Sequence, residues 1–214
     1  MISETDLTHL GRCVALARAA LDAGDSPFGS VLVRTSTGAV LREDRNRITT
    51  GRDVTLHPEL SLVVWAQRRL TDPADRADTT VYTSGEHCPM CAAAHANAGM
   101  GRIVYVASSA RLGEWREEMG ATPGPVALLP VSVVAPGVRC VEGLTDGIGD
   151  ADADADGKGT ASASTPGTPT ETGGSISSGS AALIREVKEL HRLKHERQQQ
   201  QQQQTQAGLK PVET

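Results

Sequence analysis

The sequence predicts an α/β fold in which helices cover both faces of a mixed, partly parallel sheet. Two stretches carry that expectation. "TTVYTS" (79–84), "PMCAAAHANAG" (89–99) and "RIVYVAS" (102–108) run strand, helix, strand. That is the order of a βαβ unit, whose two strands pair in parallel. "GSVLVRT" (29–35), the turn "STG" and "AVLRED" (39–44) read as an antiparallel hairpin that joins the same sheet.

The elements follow in order. "SETD" offers a capping box with Ser3 as the cap. Leu7, Leu10, Val14, Ala17 and Leu21 then form one apolar face that ends near Gly24. Cys13 falls beside Val14, where a small buried residue is expected. After the hairpin, "PELSLVVWAQRRL" (58–70) is a helix apolar almost all round, and is therefore expected to be buried. Residues 1–144 form one domain. Residues 145–180, built of Gly, Ser, Thr, Ala and Asp, have almost nothing to bury and read as a disordered insertion. Residues 181–197 return to helical spacing, with Leu183, Val187, Leu190 and Leu193 as a stripe that should dock on the domain. A Gln-rich tail, 198–214, is expected to be disordered.

Composition narrows the function. A chain of 214 residues suits one domain with a sizeable core. Its aromatics are few (Phe28, Trp65, Tyr82, Tyr105 and Trp115), so the core must be aliphatic. The net charge is −5, and no stretch is uniformly basic, so nothing marks nucleic acid as an obligatory partner. "MISETDL" lacks the apolar region of a secretory signal, and no apolar run approaches the ~20 residues that span a bilayer. Four cysteines, two of them in a close pair, suit metal-bound thiolates in a reducing compartment, cytoplasmic or nuclear.

The chemistry lies in two short motifs, "LHPELS" (56–61) and "GEHCPMC" (85–91). A proline disfavours helical geometry in the residue before it, yet fits the first helical position itself. His57 and Cys88 should therefore each cap a helix, with Glu59 and Cys91 in the first turns. Helix starts beyond strand ends at one sheet edge are where functional groups collect. They also favour thiolate over thiol. One imidazole and two thiolates make three ligands, the open pattern of a catalytic zinc rather than the closed four of a structural one. Such a zinc carries no net charge before water binds, so a base is needed, and Glu59 is placed to serve. A redox dithiol would explain "CPMC" but not "HPE". A structural zinc would need Cys13 or Cys140 as well.

"HPE" followed by "CPMC" resembles the zinc signature of the cytidine and deoxycytidylate deaminase superfamily, H-x-E…P-C-x-x-C. "SPFGSVLV", "NR" at Asn46, "VYTSGEHCPMCAAA", "GRIVYVASS", "VRCVEG" and "REVKELH" extend the likeness toward its guanine and nucleoside deaminase branch. The resemblance implies a three-layer α/β/α cytidine-deaminase-like fold with about five strands. It implies zinc on His57, Cys88 and Cys91, with Glu59 as the acid/base that shuttles protons from water to the ring nitrogen and the departing ammonia. Asn46 would hydrogen-bond the substrate, Phe28 would stack on it or pack, and Trp115, in the region after "ASSA", is a further substrate candidate.

The implied substrate is a free nucleobase, a nucleoside or a related small heterocycle of guanine or cytosine type, and the implied assembly is a homodimer. The residues nearest the motifs include Asp25, Glu59 and Glu86 but no lysine or arginine, which weighs against RNA or DNA. Arg47, Arg52, Arg111 and Arg116 leave a modest basic rim, and a tRNA adenosine deaminase is the nearest competitor. A non-catalytic partner subunit on the same fold is a further alternative, although Glu59 is present. Two positions depart from the pattern. Pro58 stands where relatives commonly have alanine. His87, in the place of a proline, is expected to lie behind the ligands or at the surface rather than to close the site as a fourth ligand. His95 is expected to pack or to meet a second subunit.

Overall fold

The computed structural model describes residues 2–138, 140–145 and 173–208. Its helices are α1 (Glu4–Asp22), α2 (Ile48–Gly51), α3 (Pro58–Arg69), α4 (Pro73–Ala77), α5 (Pro89–Asn97), α6 (Ser109–Glu118), α7 (Val131–Val134) and α8 (Gly173–Gly208). The strands are β1 (Gly29–Arg34), β2 (Val40–Arg45), β3 (Thr79–Gly85), β4 (Arg102–Ala107) and β5 (Val141–Gly143). They form one sheet in the order β2-β1-β3-β4-β5. β1 is antiparallel to both β2 and β3, while β3–β4 and β4–β5 are parallel. β2 and β3 therefore run the same way, and their carboxyl ends share one edge of the sheet.

Alternation along the strands builds two cores. Val31, Val33, Tyr82, Val104 and Val106 face α1 and α8, and are buried with Leu10, Val14, Ile184, Val187 and Leu190. Leu32 and Val81 face the other way, onto Leu62, Val63 and Ala66 of α3. Ile103 continues that second layer with Ala92 of α5 and Val131 of α7. A sheet covered on both sides buries odd and even positions alike, which is why β1 and β3 lack an exposed face.

α1 starts on the capping box, Ser3 accepting from the Asp6 N–H while Asp6 accepts from the Ser3 N–H. It sits so close to β1 that a Cβ on Gly29 would lie 2.4 Å from Leu16 and 2.5 Å from the Cys13 carbonyl. Only glycine fits there.

Four expectations need correction. α3 is not buried all round: Val64 is 41% exposed and Leu60 and Trp65 are half-buried, so its outer face reaches the surface. Residues 109–118, to which the sequence reading gave no element, form α6, started by the Ser108 hydroxyl accepting from the Arg111 N–H. α8 extends beyond 181–197 in both directions. It takes in 173–180 of the supposed insertion and 198–208 of the supposed tail. Glutamine is a good helix former, so a helix nucleated on a docked apolar stripe propagates into a Gln run at little cost. Residues 146–172 and 209–214 lie outside the described residues.

Candidate active site

His57 is the N-cap of α3 and Cys88 that of α5, each with extended backbone and a proline at the first helical position. α3 follows the carboxyl end of β2 and α5 that of β3, so parallel strand direction brings the two helix starts together. Their ligand atoms, with Cys91 one turn into α5, all lie within 4.8 Å of one another. His57 Nδ1 is 3.7 Å from Cys88 Sγ and 3.6 Å from Cys91 Sγ.

The protonation of this cluster suits a cation. The hydrogen bond from Cys91 outweighs burial and, with His57, draws Cys88 down to about 4. Cys91, the donor in that bond and buried, is pushed up and keeps its proton. His57 is raised by its contact with Cys88, although burial opposes this. A divalent ion entering here would displace the remaining thiol proton.

Glu59 lies in the first turn of α3 and is only 3% exposed. Burial raises its carboxyl to about 7, against the opposing pull of His57. Thr83 Oγ1 lies 3.4 Å from Oε1, whereas Oε2 is buried without a partner. An orphaned carboxylate oxygen beside a thiolate, a thiol and an imidazole suits a site that binds a thiolate-accepting cation and a water. The donor set therefore fits zinc.

Two buried carboxylates brace these loops. Glu86 accepts from the Ser109 N–H and the Val131 N–H, both at 2.7 Å, tying the Cys88 loop to the starts of α6 and α7. Asp25 accepts from the Thr49 and Thr50 N–H groups, the Thr50 hydroxyl and Arg45. Neither is a free acidic group at a pocket mouth, which corrects the weight given to them in the charge argument. Their roles depend on distant backbone donors, so spacing in the sequence gave no sign of them.

Asn46 is buried. Its N–H donates to the Phe28 carbonyl at 2.9 Å, and its Oδ1 accepts from the Ile48 N–H at 3.1 Å. Phe28 is partly buried, its ring packed over Gly85 at the end of β3 and edge-on to His191 at 5.1 Å. Trp115 is buried in the core under α8, where its ring lies tilted against the same His191 at 6.3 Å and packs. His87 is wholly buried, not at the surface, and stacks edge-on against His95 at 5.3 Å. Burial pushes both histidines toward the neutral form. His95 Nε2 is 2.9 Å from the Gly101 carbonyl.

Residues 3–107 match the model of the cytidine and deoxycytidylate deaminase zinc-binding region. A probable cytosine deaminase of Schizosaccharomyces pombe is 32% identical over 124 residues, which are 57% of this chain and 72% of that protein. The chain belongs to the cytidine and deoxycytidylate deaminase family. It is accordingly a zinc-binding hydrolase of the deaminase class, acting on C–N bonds. The guanine deaminase of Bacillus subtilis is 40% identical over 85 residues, 39% of this chain and 53% of that enzyme, so the match spans about half of its length. A solved guanine deaminase from Nitrosomonas europaea aligns with a TM-score of 0.54 at 20% identity, over 88% of this chain and 86% of that one. At that identity it shows the shared fold of this deaminase: the mixed five-stranded sheet between helical layers. Over 97 residues, 45% of this chain and 7% of that protein, the deaminase is also 34% identical to a chloroplastic tRNA(adenine(34)) deaminase of Arabidopsis thaliana. No helix among the described residues is long and apolar enough to cross a membrane.

Proposed function

We propose that this protein hydrolyses the exocyclic amine of a free nucleobase, nucleoside or related small heterocycle of guanine or cytosine type. The observation that carries this reading is the buried, partnerless Glu59 Oε2 beside the cluster of His57, Cys88 and Cys91. The reaction adds water across the amidine carbon and releases ammonia, so two protons must travel from water to nitrogen. Zinc held by His57, Cys88 and Cys91 supplies a Lewis acid that makes water nucleophilic near neutral pH. Glu59 takes the first proton from the water and passes it to the ring nitrogen, then carries the second to the leaving amine. A carboxyl held near pH 7 can both accept and give at that pH. Asn46 offers a donor to a base edge, and Phe28 offers a ring face.

The assay is ammonia release over a panel of free bases, nucleosides and their analogues. Turnover of at least one is expected. Glu59→Gln should retain zinc yet lose turnover by about two to four powers of ten. An inactive wild type that gains activity only beside a second subunit with its own glutamate would favour the non-catalytic partner reading. Deamination of tRNA anticodon stem-loops alone would favour the RNA reading. The exposed Val64, midway along α3, and Met90, in the first turn of α5 beside Cys91, support a homodimer that buries these helices. Light scattering of wild type against Val64→Glu tests it, a shift to monomer being expected. The same chemistry suits a reducing compartment such as the cytoplasm.

A further inference from the structure

We propose that the cavity between Phe28, the end of α6 and the middle of α8 binds the phosphate of a small phosphate monoester. The cavity measures about 260 Å³, and Phe28, Arg116, His191, Lys194, His195 and Gln198 are in its wall. Two fixed cations and two imidazoles converge there, and no carboxylate is in the lining. In a chain of net charge −5 that is a local reversal of sign.

The cations are not spent on each other's neighbours. Lys194 donates to the Gly24 carbonyl at 3.1 Å, which leaves N–H groups of its ammonium for a ligand. The acid that reaches Lys194 is Asp25, already saturated by Thr49, Thr50 and Arg45. Among the described residues the Arg116 guanidinium makes no ion pair or side-chain hydrogen bond. His191 Nε2 is buried and has no partner. Burial, with some help from the Arg116 charge, holds His191 near pKa 3, so the ring is neutral and can present one N–H to an oxyanion.

These are the donors that a phosphate uses: a guanidinium fork, an ammonium and an imidazole N–H. Pro27, Phe28 and Met119 add apolar surface to the same lining. An organic phosphate therefore fits better than the bare ion. Phe28 also bonds Asn46 through its carbonyl. The cavity thus adjoins the proposed base site, and two sources share the chemistry: a phosphorylated substrate reaching across Phe28, or a separate phosphorylated ligand. The anion site itself stands without the deaminase reading, and only the comparison between the two sources uses it.

The probes are inorganic phosphate and phenyl phosphate, titrated calorimetrically into the zinc-loaded full chain at low salt. One saturable site is expected, with phenyl phosphate the tighter ligand. Arg116→Gln and Lys194→Gln should each weaken it about tenfold, the loss of one charged hydrogen bond. Lys194→Arg should retain binding, and Arg42→Gln, on the exposed face of β2, should not alter it. If the variants raise KM for a nucleoside 5′-monophosphate but not for its nucleoside, the phosphate belongs to a substrate. If phenyl phosphate binds without affecting that ratio, it belongs to a separate ligand. Absence of saturable binding, or binding that survives in a folded, zinc-replete Arg116→Gln/Lys194→Gln protein, would overturn the site.

Discussion

At the scale of single residues, two kinds of polar group behave oppositely. The ligand cluster is a set of groups suited to hold a cation, and Asp6 is a group satisfied by its protein neighbours. Cys88→Ser or Cys91→Ser replaces a thiolate with a hydroxyl that stays protonated, so metal analysis should find zinc lost from either variant. The melting temperature should fall as well, because binding free energy contributes to folding. Asp6 is different. It accepts from Ser3, from the Tyr82 hydroxyl at 2.7 Å and from Arg102 at 2.7 Å. Burial alone would raise its carboxyl, but Arg102, Ser3 and Tyr82 outweigh burial and hold it near 2. A pKa depressed on folding contributes stability that is present above about pH 4 and lost as pH falls toward 2. Thermal melts between pH 5 and pH 2 should therefore decline more steeply in wild type than in Asp6→Asn. Parallel slopes would show that the Asp6 network contributes nothing to acid lability. The motifs were legible in the sequence because Pro58 and Pro89 fix helix starts. Glu86, Asp25 and Thr83 were not, because their partners lie 20 or more residues away.

Elements show the same division between local and distant causes. The hairpin, the βαβ unit and α1 were readable because turn residues, strand composition and a capping box act within a few positions. α6 was not, because "SARLGEWREE" has a low apolar content, and its helical state rests on the Ser108 cap and the burial of Leu112 and Trp115. α8 was placed but not bounded: its true stripe includes Ile184, wholly missed, beside Val187 and Leu190. Those three buried side chains, with the half-buried Leu183 and Leu193, cover α1 and the core beneath it. At about 1.5–3 kcal/mol for each fully buried aliphatic side chain, α8 contributes several kcal/mol, an upper estimate since unfolded chains also bury area. Truncation after Leu144 should therefore lower the melting temperature sharply or drive aggregation. Deletion of 151–168 alone should shift it by no more than about 1–2 °C, since shortening a long connection between two fixed ends changes closure entropy little. Equal melting points for the two deletions would show that α8 is not part of the folded core.

At the scale of the whole molecule, the distribution of charge bears on the proposed substrate. A polynucleotide enzyme must neutralise phosphates on both sides of the base it takes, which calls for a continuous basic groove and makes binding fall steeply with salt. Of the four arginines that might rim the site, Arg111 is buried and donates to the Leu144 carbonyl, and Arg47 is paired with Asp44. Arg52 is exposed on its left-handed turn after α2, and Arg116 joins Lys194 in the wall of the cavity beside Phe28. What remains of the four is a pair of cations, Arg116 with Lys194, in one cavity of about 260 Å³ rather than a continuous basic groove. Turnover of a free base or nucleoside should accordingly change less than about twofold between 50 and 200 mM salt, where an enzyme with several phosphate contacts loses affinity by orders of magnitude. A phosphorylated substrate should show a shallow dependence between these limits, since one neutralised phosphate removes about one counterion's worth of slope. A loss of two or more powers of ten on any accepted substrate over that range would mean that the acidic net charge of the chain conceals a groove for nucleic acid.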